Sequence, residues 1–287
     1  MHTQVSGAQV VPRWSPWAEP IEFVTTTAAA PSSEDSPPTS SLILLHGIAM
    51  PSSTYVDGDA PFGLGRWPSY ALKPFLGQDI PGVRCVLLSS PKTKAPAVLE
   101  VLKMFPPDPD GRNSWVDQVL SGWVPPGSAS SDTQDDALQA YNWNLDDAKG
   151  AVDYVHNIIR REIERGMPSE RIFVMGHSQG GMIGSRAALT FPDARLGGLI
   201  MLSSLNASPD MVEVVAPAQK GLKILAGHSA DDKMLKYEIT ASSYEILKAA
   251  VGHDNFTFIE EPDNEDMAKH APFCDSLKDA FMQLLKA

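Results

Sequence analysis

The stretch that most constrains the fold of this chain is Arg171–Gly181, which reads RIFVMGHSQGG. Its first five residues have strand character and run into a G-x-S-x-G motif centred on Ser178, after which a helix is predicted over Met182–Leu189. A serine on so tight a strand-to-helix turn has strained backbone, so its neighbours two positions away need to be almost without side chains, as Gly176 and Gly180 are. The stretch predicts a nucleophile elbow, and a purely structural glycine turn is the alternative.

Two other stretches, Ser41–His46 and Val83–Leu88, are short and mostly apolar, which is typical of strands buried in a parallel sheet. Further strands are predicted at Ile21–Thr27, Gly198–Leu202, Leu222–Ala226 and Phe256–Glu260. Helices are predicted from Asn144 to a stop at Gly166, over Ile239–Val251 and over Cys274–Lys286. This alternation predicts an α/β fold with a doubly wound, mostly parallel sheet and helices on both faces.

The length of 287 residues fits a single α/β enzyme domain, and 43% of the residues are hydrophobic, enough for a sizeable core. We predict an N-terminal arm, first strand and Pro/Ser-rich loop over residues 1–40, packed on a main domain over 41–287. Regular patterning breaks down around 104–136, where Met104–Gly111 and Val124–Ser131 are rich in proline or small residues. Long aromatic-bearing loops usually cover or line a site, so we predict a loop-rich cover there. A surface insertion without a role is the alternative.

The charge of the chain narrows its possible partners. The net charge of −12 would repel the phosphates of nucleic acid, and no basic run suggests an anionic membrane surface. The N-terminus has no signal-peptide pattern and no apolar run is long enough to span a bilayer, so we expect a cytoplasmic protein. Cys85 and Cys274 do not make a disulfide framework and are expected to be small buried hydrophobic residues.

A serine nucleophile needs a neighbouring base, and that base needs an orienting acid. In folds with such an elbow the acid follows the serine in the chain, at the carboxyl end of a later strand. Strand Leu222–Ala226 leads into Gly227–Asp232, and we predict Asp231 as the acid with Asp232 as its main competitor. Both carboxylates could instead be ordinary residues at the start of a helix.

The predicted base is His270, which follows the last strand and its polar loop. His253 precedes that strand and would lie at the opposite edge of the sheet. His177 is expected to pack beside the elbow and His228 to be structural. His156 falls between the apolar positions of its helix and is expected on the surface.

Two backbone N–H groups are candidates for stabilising an oxyanion. The N–H of Gln179 begins the helix after the elbow, and that of Ile48 lies in the loop after the early strand. The sequence contains no metal-ligand spacing and no phosphate-binding loop, so we expect a reaction without metal or cofactor.

These residues lie in segments that resemble the phospholipase/carboxylesterase family of α/β-hydrolases, whose best-known members are acyl-protein thioesterases. The resemblance runs from about Ser41 to the end of the chain. Its motifs are LLHGI (Leu44–Ile48), NSWVD (Asn113–Asp117), the block from Glu164 to Pro192 that contains GMPSERI and GHSQGG, the Gly227–Asp231 loop, and the DNFTFIEEP segment that leads to His270. The resemblance implies an α/β-hydrolase fold and assigns the same roles to Ser178, Asp231, His270, Ile48 and Gln179. It also implies that Trp115 borders a substrate channel.

The chain departs from the family beside the expected site. Family members typically have HG-x-G-D after the early strand, whereas this chain has Ala49 and Met50 at the last two positions. The family's acid loop has His-Gly, a variable pair and then Asp; counted back from Asp231, this chain has Gly227-His228 instead. Substrate binding is therefore expected to depend on Ile48–Met50, with Met50 a candidate contact, and on the predicted cover.

The leading hypothesis is a serine hydrolase that cleaves a carboxylic ester or thioester with a hydrophobic part through an acyl-enzyme on Ser178. An acyltransferase or cyclase could use the same acyl-enzyme if the cover excluded water. A catalytically silent small-molecule binding module is the third possibility. The expected partner is a small-molecule or acylated substrate, with no nucleic acid and no membrane span.

Overall fold

A computed structural model describes residues 17–25, 37–59, 66–76, 82–93, 112–116, 145–261, 270–273 and 275–286. Several sequence predictions lie outside these ranges: the arm up to residue 16, most of the Pro/Ser-rich loop, the cover around 104–136 apart from 112–116, and Cys274. The proposed division at residues 40 and 41 stays a prediction.

The described chain has nine strands. They are β1 Ile21–Val24, β2 Ser40–Leu45, β3 Val83–Leu88, β4 Lys92–Thr93, β5 Arg112–Asn113, β6 Ile172–His177, β7 Gly198–Leu202, β8 Ile224–Ser229 and β9 Phe256–Glu261. Seven of them form one sheet in the order β1-β3-β2-β6-β7-β8-β9, and β4 pairs with β5 separately. Only β1 is antiparallel to its neighbour in the large sheet, so the predicted mostly parallel sheet is confirmed.

The helices of the described residues connect these strands. They are α1 Thr54–Asp57, α2 Leu72–Leu76, α3 Leu145–Glu164, α4 Gln179–Thr190, α5 Met211–Val214, α6 Tyr237–Val251 and α7 Asp275–Lys286. None of them is both long enough and apolar enough to cross a membrane.

The alternating side chains of the strands feed two hydrophobic cores, one on each face of the sheet. On β2, Ile43 and Leu45 join a core formed with α3, α4 and α6. Leu42 and Leu44 point the other way and join a core with α1, α2 and α7. Because successive strand residues face opposite sides, a strand buried on both faces needs an unbroken apolar run, which is the pattern that β2 has.

Three boundaries differ from the predictions in ways that affect the site. Strand β6 continues through His177, and α4 begins directly at Gln179, so the elbow is one residue long. Strand β8 continues to Ser229, three residues beyond the predicted end at Ala226. Parallel pairing of β8 with β9 extends to Ser229 and supports the longer strand.

The expectation that His156 lies on the surface is wrong. Its ring is buried on α3, where Nε2 donates a hydrogen bond to the Ala187 carbonyl oxygen of α4 at 2.8 Å. The ring also packs edge-on against Phe191, with 5.4 Å between ring centroids. The face of α3 that packs on α4 is wider than the apolar stripe of α3. The polar ring of His156 can therefore be buried in this interface, because its N–H has a backbone acceptor there.

Candidate active site

Ser178 is the single residue between β6 and α4. Its backbone lies at φ 52° and ψ −124°, a positive φ that an L-residue adopts only where the surrounding structure imposes it. A Cβ at Gly176 would meet the backbone of Gly180, and a Cβ at Gly180 would meet the carbonyl oxygens of Leu45 and His46. The absence of both side chains lets the elbow lie directly against the end of β2.

The carboxyl end of β7 holds the elbow in place. The Ser178 N–H donates to the Leu202 carbonyl oxygen at 2.9 Å, and the Ser178 carbonyl oxygen accepts a hydrogen bond from the Ser204 hydroxyl at 2.7 Å. Hydrogen bonds to both its N–H and its carbonyl oxygen thus hold the strained Ser178 in place, and its side chain stays at the carboxyl end of the sheet.

His270 is paired with Asp232, not with the predicted Asp231. The distance between His270 Nδ1 and Asp232 Oδ2 is 2.7 Å, and both side chains are buried. Asp231 is exposed, although it is adjacent in the chain. Asp232, the alternative acid in the sequence prediction, therefore makes the hydrogen bond that we expected Asp231 to make.

The physical reason is the turn that follows the longer β8. Asp232 Oδ1 accepts hydrogen bonds from the N–H groups of Met234 at 2.7 Å and Leu235 at 2.9 Å, which turns the carboxylate inward and leaves Oδ2 for His270. Burial alone would raise the pKa of Asp232. The nearby His270 and the hydrogen bonds to the carboxylate outweigh burial and lower that pKa below its ordinary value.

A sequence signal for Asp232 was present in the family pattern. Counted back from Asp232, the variable pair is Ala230-Asp231 and the preceding pair is His228-Ser229, so histidine occupies the position expected in the His-Gly pattern. His228 is fully buried, as its structural assignment implied, and its Nε2 donates to the Leu235 carbonyl oxygen at 2.9 Å. That nitrogen lies 3.5 Å from Asp232 Oδ2, so His228 also borders the carboxylate.

The loop after β2 approaches the elbow from the other side. The Ala49 N–H donates to the Asn113 carbonyl oxygen at 2.8 Å, and Ala49 has a positive φ of 63°. Ala49 thus adopts backbone that favours glycine, the residue that the family resemblance leads us to expect at this position. Among the described residues, neither the Ile48 N–H nor the Gln179 N–H donates a hydrogen bond to another group. These are the two N–H groups predicted to bind an oxyanion.

Trp115 and the Gln179 side chain hold this loop and the elbow together. The Trp115 indole N–H donates to the His46 carbonyl oxygen at 2.7 Å, and the Trp115 backbone N–H donates to Gln179 Oε1 at 2.9 Å. The Trp115 side chain is buried, and so is Met50, in the core beside Tyr55. Their predicted contacts with substrate stay predictions, while the structural bonds of Trp115 were not anticipated.

His177 packs beneath the elbow, and its ring lies 5.0 Å from the His270 ring between centroids. His177 Nε2 and the His270 carbonyl oxygen are 2.9 Å apart. His177 Nδ1 and the Tyr55 hydroxyl oxygen are 2.6 Å apart. His253 is exposed at the other end of the last strand. The described residues include no group of three or more histidine, cysteine or acidic side chains that could hold a metal ion.

Comparisons with known proteins find similarity to esterases and thioesterases over part of the chain. A family model described as phospholipase/carboxylesterase matches residues 137–276. Acyl-protein thioesterase 1 of Gibberella zeae is 36% identical over 104 residues, which make up 35% of this chain and 43% of that protein. Carboxylesterase SOBER1 of Arabidopsis thaliana is 31% identical over 100 residues, covering 35% of this chain and 44% of that protein. In these alignments the chain spans less than half the length of its relatives.

Solved structures extend the likeness of the fold over most of the chain. The crystal structure of SOBER1 from Arabidopsis thaliana superposes with a TM-score of 0.60 at 21% identity, covering 86% of this chain and 97% of that one. Acyl-protein thioesterase 2 of Zea mays gives a TM-score of 0.55 at 15% identity, with 93% and 98% covered. The α/β-hydrolase fold expected from the sequence is confirmed.

Proposed function

We propose that the chain belongs to the phospholipase/carboxylesterase family of α/β-hydrolases, whose model matches residues 137–276, and that it is a serine hydrolase of carboxylic esters or thioesters. The single observation that carries the proposal is the 2.7 Å contact between His270 Nδ1 and Asp232 Oδ2 beside the strained Ser178 elbow. A buried histidine oriented by a carboxylate is what a serine hydroxyl needs in order to become a nucleophile at neutral pH.

In the proposed mechanism the Ser178 hydroxyl oxygen attacks the carbonyl carbon of the substrate while His270 Nε2 takes the hydroxyl proton. Asp232 keeps the proton of His270 on Nδ1 and stabilises the imidazolium that forms. His270 then gives the proton to the departing alcohol or thiol, leaving an acyl group on Ser178. A water molecule, activated by His270 in the same way, releases the carboxylic acid and restores the serine.

The tetrahedral intermediates carry a negative charge on the former carbonyl oxygen. We assign its stabilisation to the N–H groups of Ile48 and Gln179. Gln179 is the first residue of α4, so its N–H points out of the helix with the positive end of the helix dipole behind it. The loop around Ile48 is held through Trp115 and Asn113, so this donor is in place before substrate arrives.

The substrate class follows from the relatives only in outline. Those named above are an acyl-protein thioesterase and a carboxylesterase, names that refer to thioesters and to carboxylic esters. We propose an ester or thioester with a hydrophobic part, and we place Trp115 and Met50 near the substrate on the basis of the family resemblance.

The test compares wild-type protein with Ser178→Ala on p-nitrophenyl esters of short and long acyl chains and on the corresponding thioesters. Loss of the nucleophile is expected to lower kcat by at least about 10³-fold, because the rest of the site retains only binding and oxyanion stabilisation. Ser242→Ala, which removes a hydroxyl on the exposed side of α6, is the matched control and is expected to keep full activity. A fluorophosphonate should label wild type and not Ser178→Ala; equal hydrolysis by the two proteins would contradict the proposal.

A further inference from the structure

We propose that Tyr55 and His177 are positioning residues that tie the loop His46–Ala49 to the segment carrying His270 through one continuous chain of hydrogen bonds. The proposal rests on the serine-hydrolase function proposed above, because it assigns an effect on the rate of that reaction. We call the series from the Gly47 N–H through Tyr55 and His177 to the His270 carbonyl the Tyr55–His177 chain.

The direction of every bond in the chain follows from the chemistry of its ends. The His270 carbonyl oxygen can only accept, so His177 Nε2 carries the proton and donates to it over 2.9 Å. Burial is the main cause that lowers the pKa of His177 well below its ordinary value, so the ring is neutral and its Nδ1 is an acceptor. The Tyr55 hydroxyl therefore gives its proton to Nδ1 over 2.6 Å.

At its other end, the Tyr55–His177 chain reaches the backbone of Gly47, the residue before Ile48. The Gly47 N–H donates to the Tyr55 hydroxyl oxygen at 2.9 Å. The fit is close, because a Cβ at Gly47 would lie 2.9 Å from His177 Nδ1 and 3.3 Å from the Tyr55 hydroxyl oxygen. A shift of the Tyr55–His177 pair would therefore move the peptide unit directly before the proposed oxyanion donor.

The Gly47 carbonyl oxygen is also held by a hydrogen bond, from the ring of His46. The backbone N–H of Ser90 donates to His46 Nε2 at 3.0 Å, so the proton of this ring is on Nδ1, which donates to the Gly47 carbonyl oxygen at 2.7 Å. Gly47 is thus held at its N–H by Tyr55 and at its carbonyl by His46, and the Ala49 N–H donates to Asn113. The Ile48 N–H between them donates no hydrogen bond to another described residue.

The Tyr55–His177 chain connects the three segments that have to meet during the reaction, which carry the nucleophile, the base and the proposed oxyanion donor. His177 is the residue before Ser178. Its Nε2 donates to the carbonyl oxygen of the proposed base, His270, and its Nδ1 is linked through the Tyr55 hydroxyl to the loop His46–Ala49. The Tyr70 hydroxyl also donates to the His270 carbonyl oxygen, at 3.0 Å, but it does not reach Gly47 among the described contacts. A displacement of about 1 Å in such a site lowers the rate by about 10²-fold, so loss of the chain should act on kcat.

The experiment uses the full chain and p-nitrophenyl butyrate as the probe. His177→Phe keeps an aromatic ring and removes both hydrogen bonds, and it is expected to lower kcat by about 10- to 100-fold with KM changed by less than about twofold. Tyr55→Phe is expected to lower kcat by about 10-fold. The double variant should be no slower than His177→Phe, because both substitutions interrupt the same chain.

Rescue and a matched control separate positioning from loss of stability. His177→Gln places an amide N–H near the position of Nε2 and should recover most of the kcat lost in His177→Phe. His156→Phe removes another buried histidine that donates to a backbone carbonyl, away from the site. It is expected to lower the thermal unfolding midpoint and to leave kcat unchanged.

The kcat values of Ser178→Ala, His177→Phe and Tyr55→Phe together separate the positioning role from the proposed function. If Ser178→Ala is inactive while His177→Phe and Tyr55→Phe keep wild-type kcat, the positioning role is wrong and the proposed function stands. Additive losses in the double variant, or a rise in KM with unchanged kcat, would also overturn the single chain. If His177→Phe does not fold, Tyr55→Phe and His177→Gln carry the same comparison. Activity retained in Ser178→Ala would instead remove the proposed function.

Discussion

At the scale of single residues, the neighbouring carboxylates Asp231 and Asp232 have opposite environments. Asp232 is buried against His270 and His228, and both of its oxygens accept hydrogen bonds. Asp231 is exposed, and its backbone N–H lies 3.4 Å from the Ser229 hydroxyl oxygen. The buried carboxylate can orient a histidine because it is itself held by the turn, and the exposed one remains in high dielectric, where its field is screened.

This contrast predicts different outcomes for the same chemical change at adjacent positions. Asp232→Asn is expected to lower kcat by about 10²- to 10⁴-fold, since an amide can donate to His270 Nδ1 and favour the wrong tautomer. Asp231→Asn is the matched control and should stay within about twofold of wild type. Steady-state hydrolysis of a p-nitrophenyl ester measures both, and a larger loss for Asp231→Asn would return the acid role to that residue.

At the scale of elements, α3 is fastened to the first strands through Glu162, whose side chain is fully buried. Its Oε2 accepts from the Ser41 hydroxyl of β2 at 2.9 Å, and its Oε1 contacts an Arg165 guanidinium nitrogen at 2.8 Å. Arg165 also contacts Glu22 of β1 at 2.9 Å, and Arg84 of β3 lies 3.6 Å from both carboxylates. This cluster lies where the parallel strands begin, at the end of the sheet away from the elbow.

Neutralising the buried carboxylate should therefore affect stability and not chemistry. Glu162→Gln is expected to lower the free energy of unfolding by about 2 to 4 kcal/mol, because the arginines lose their buried counter-charge. Glu19→Gln is the control: that side chain is 95% exposed and 3.8 Å from Arg161, so its effect should be below about 0.5 kcal/mol. Urea unfolding measures both changes. If Glu162→Gln lowered kcat while the protein remained fully folded, the Glu162 cluster would not be independent of the site at the opposite end of the sheet.

At the scale of the whole molecule, burial lowers the pKa of four of the described histidines: His46, His156, His177 and His228. The pKa of His46 falls to about 4, and the pKa of each of the other three lies below its ordinary value. In the unfolded chain each ring regains an ordinary pKa of about 6.5. The unfolded state therefore binds more protons than the folded state at mildly acidic pH.

Acidification therefore favours the unfolded state, because the histidine rings take up protons there first. The stability provided by these neutral rings is fully present above about pH 6.5 and decreases as the pH falls from there toward the lowered folded pKa. Each ring that stays neutral in the folded state contributes a slope approaching about 1.4 kcal/mol per pH unit. Urea unfolding at pH 7, 6 and 5 should therefore show a steep loss of stability. His177→Gln should have a shallower slope by one proton, and an equal slope in both proteins would contradict the assignment.

Much of the fold followed from local pattern. Runs that are apolar except for Arg84 predicted Val83–Leu88 and Gly198–Leu202 with the bounds that the structure has, because strands buried on both faces have few polar positions to blur their ends. Strand β8 was predicted too short because Gly227–Ser229 are small or polar, and their pairing with β9 is a long-range contact. His156 was misplaced for the same reason, since its acceptor at Ala187 belongs to another helix.

The sequence by itself determined the elbow at Ser178, the candidate base His270 and the alternation of strands and helices, since tight turns and hydrophobic patterns are local properties of the chain. Only the tertiary structure decided that Asp232 and not Asp231 meets His270, a contact between residues 38 apart in the chain. The side chains of adjacent residues in a turn point in different directions. The residue at which β8 ends therefore decides which of the two carboxylates points inward, and here it is Asp232. The partners of His177 were likewise decided by packing, because Tyr55 and His270 lie 122 and 93 positions away.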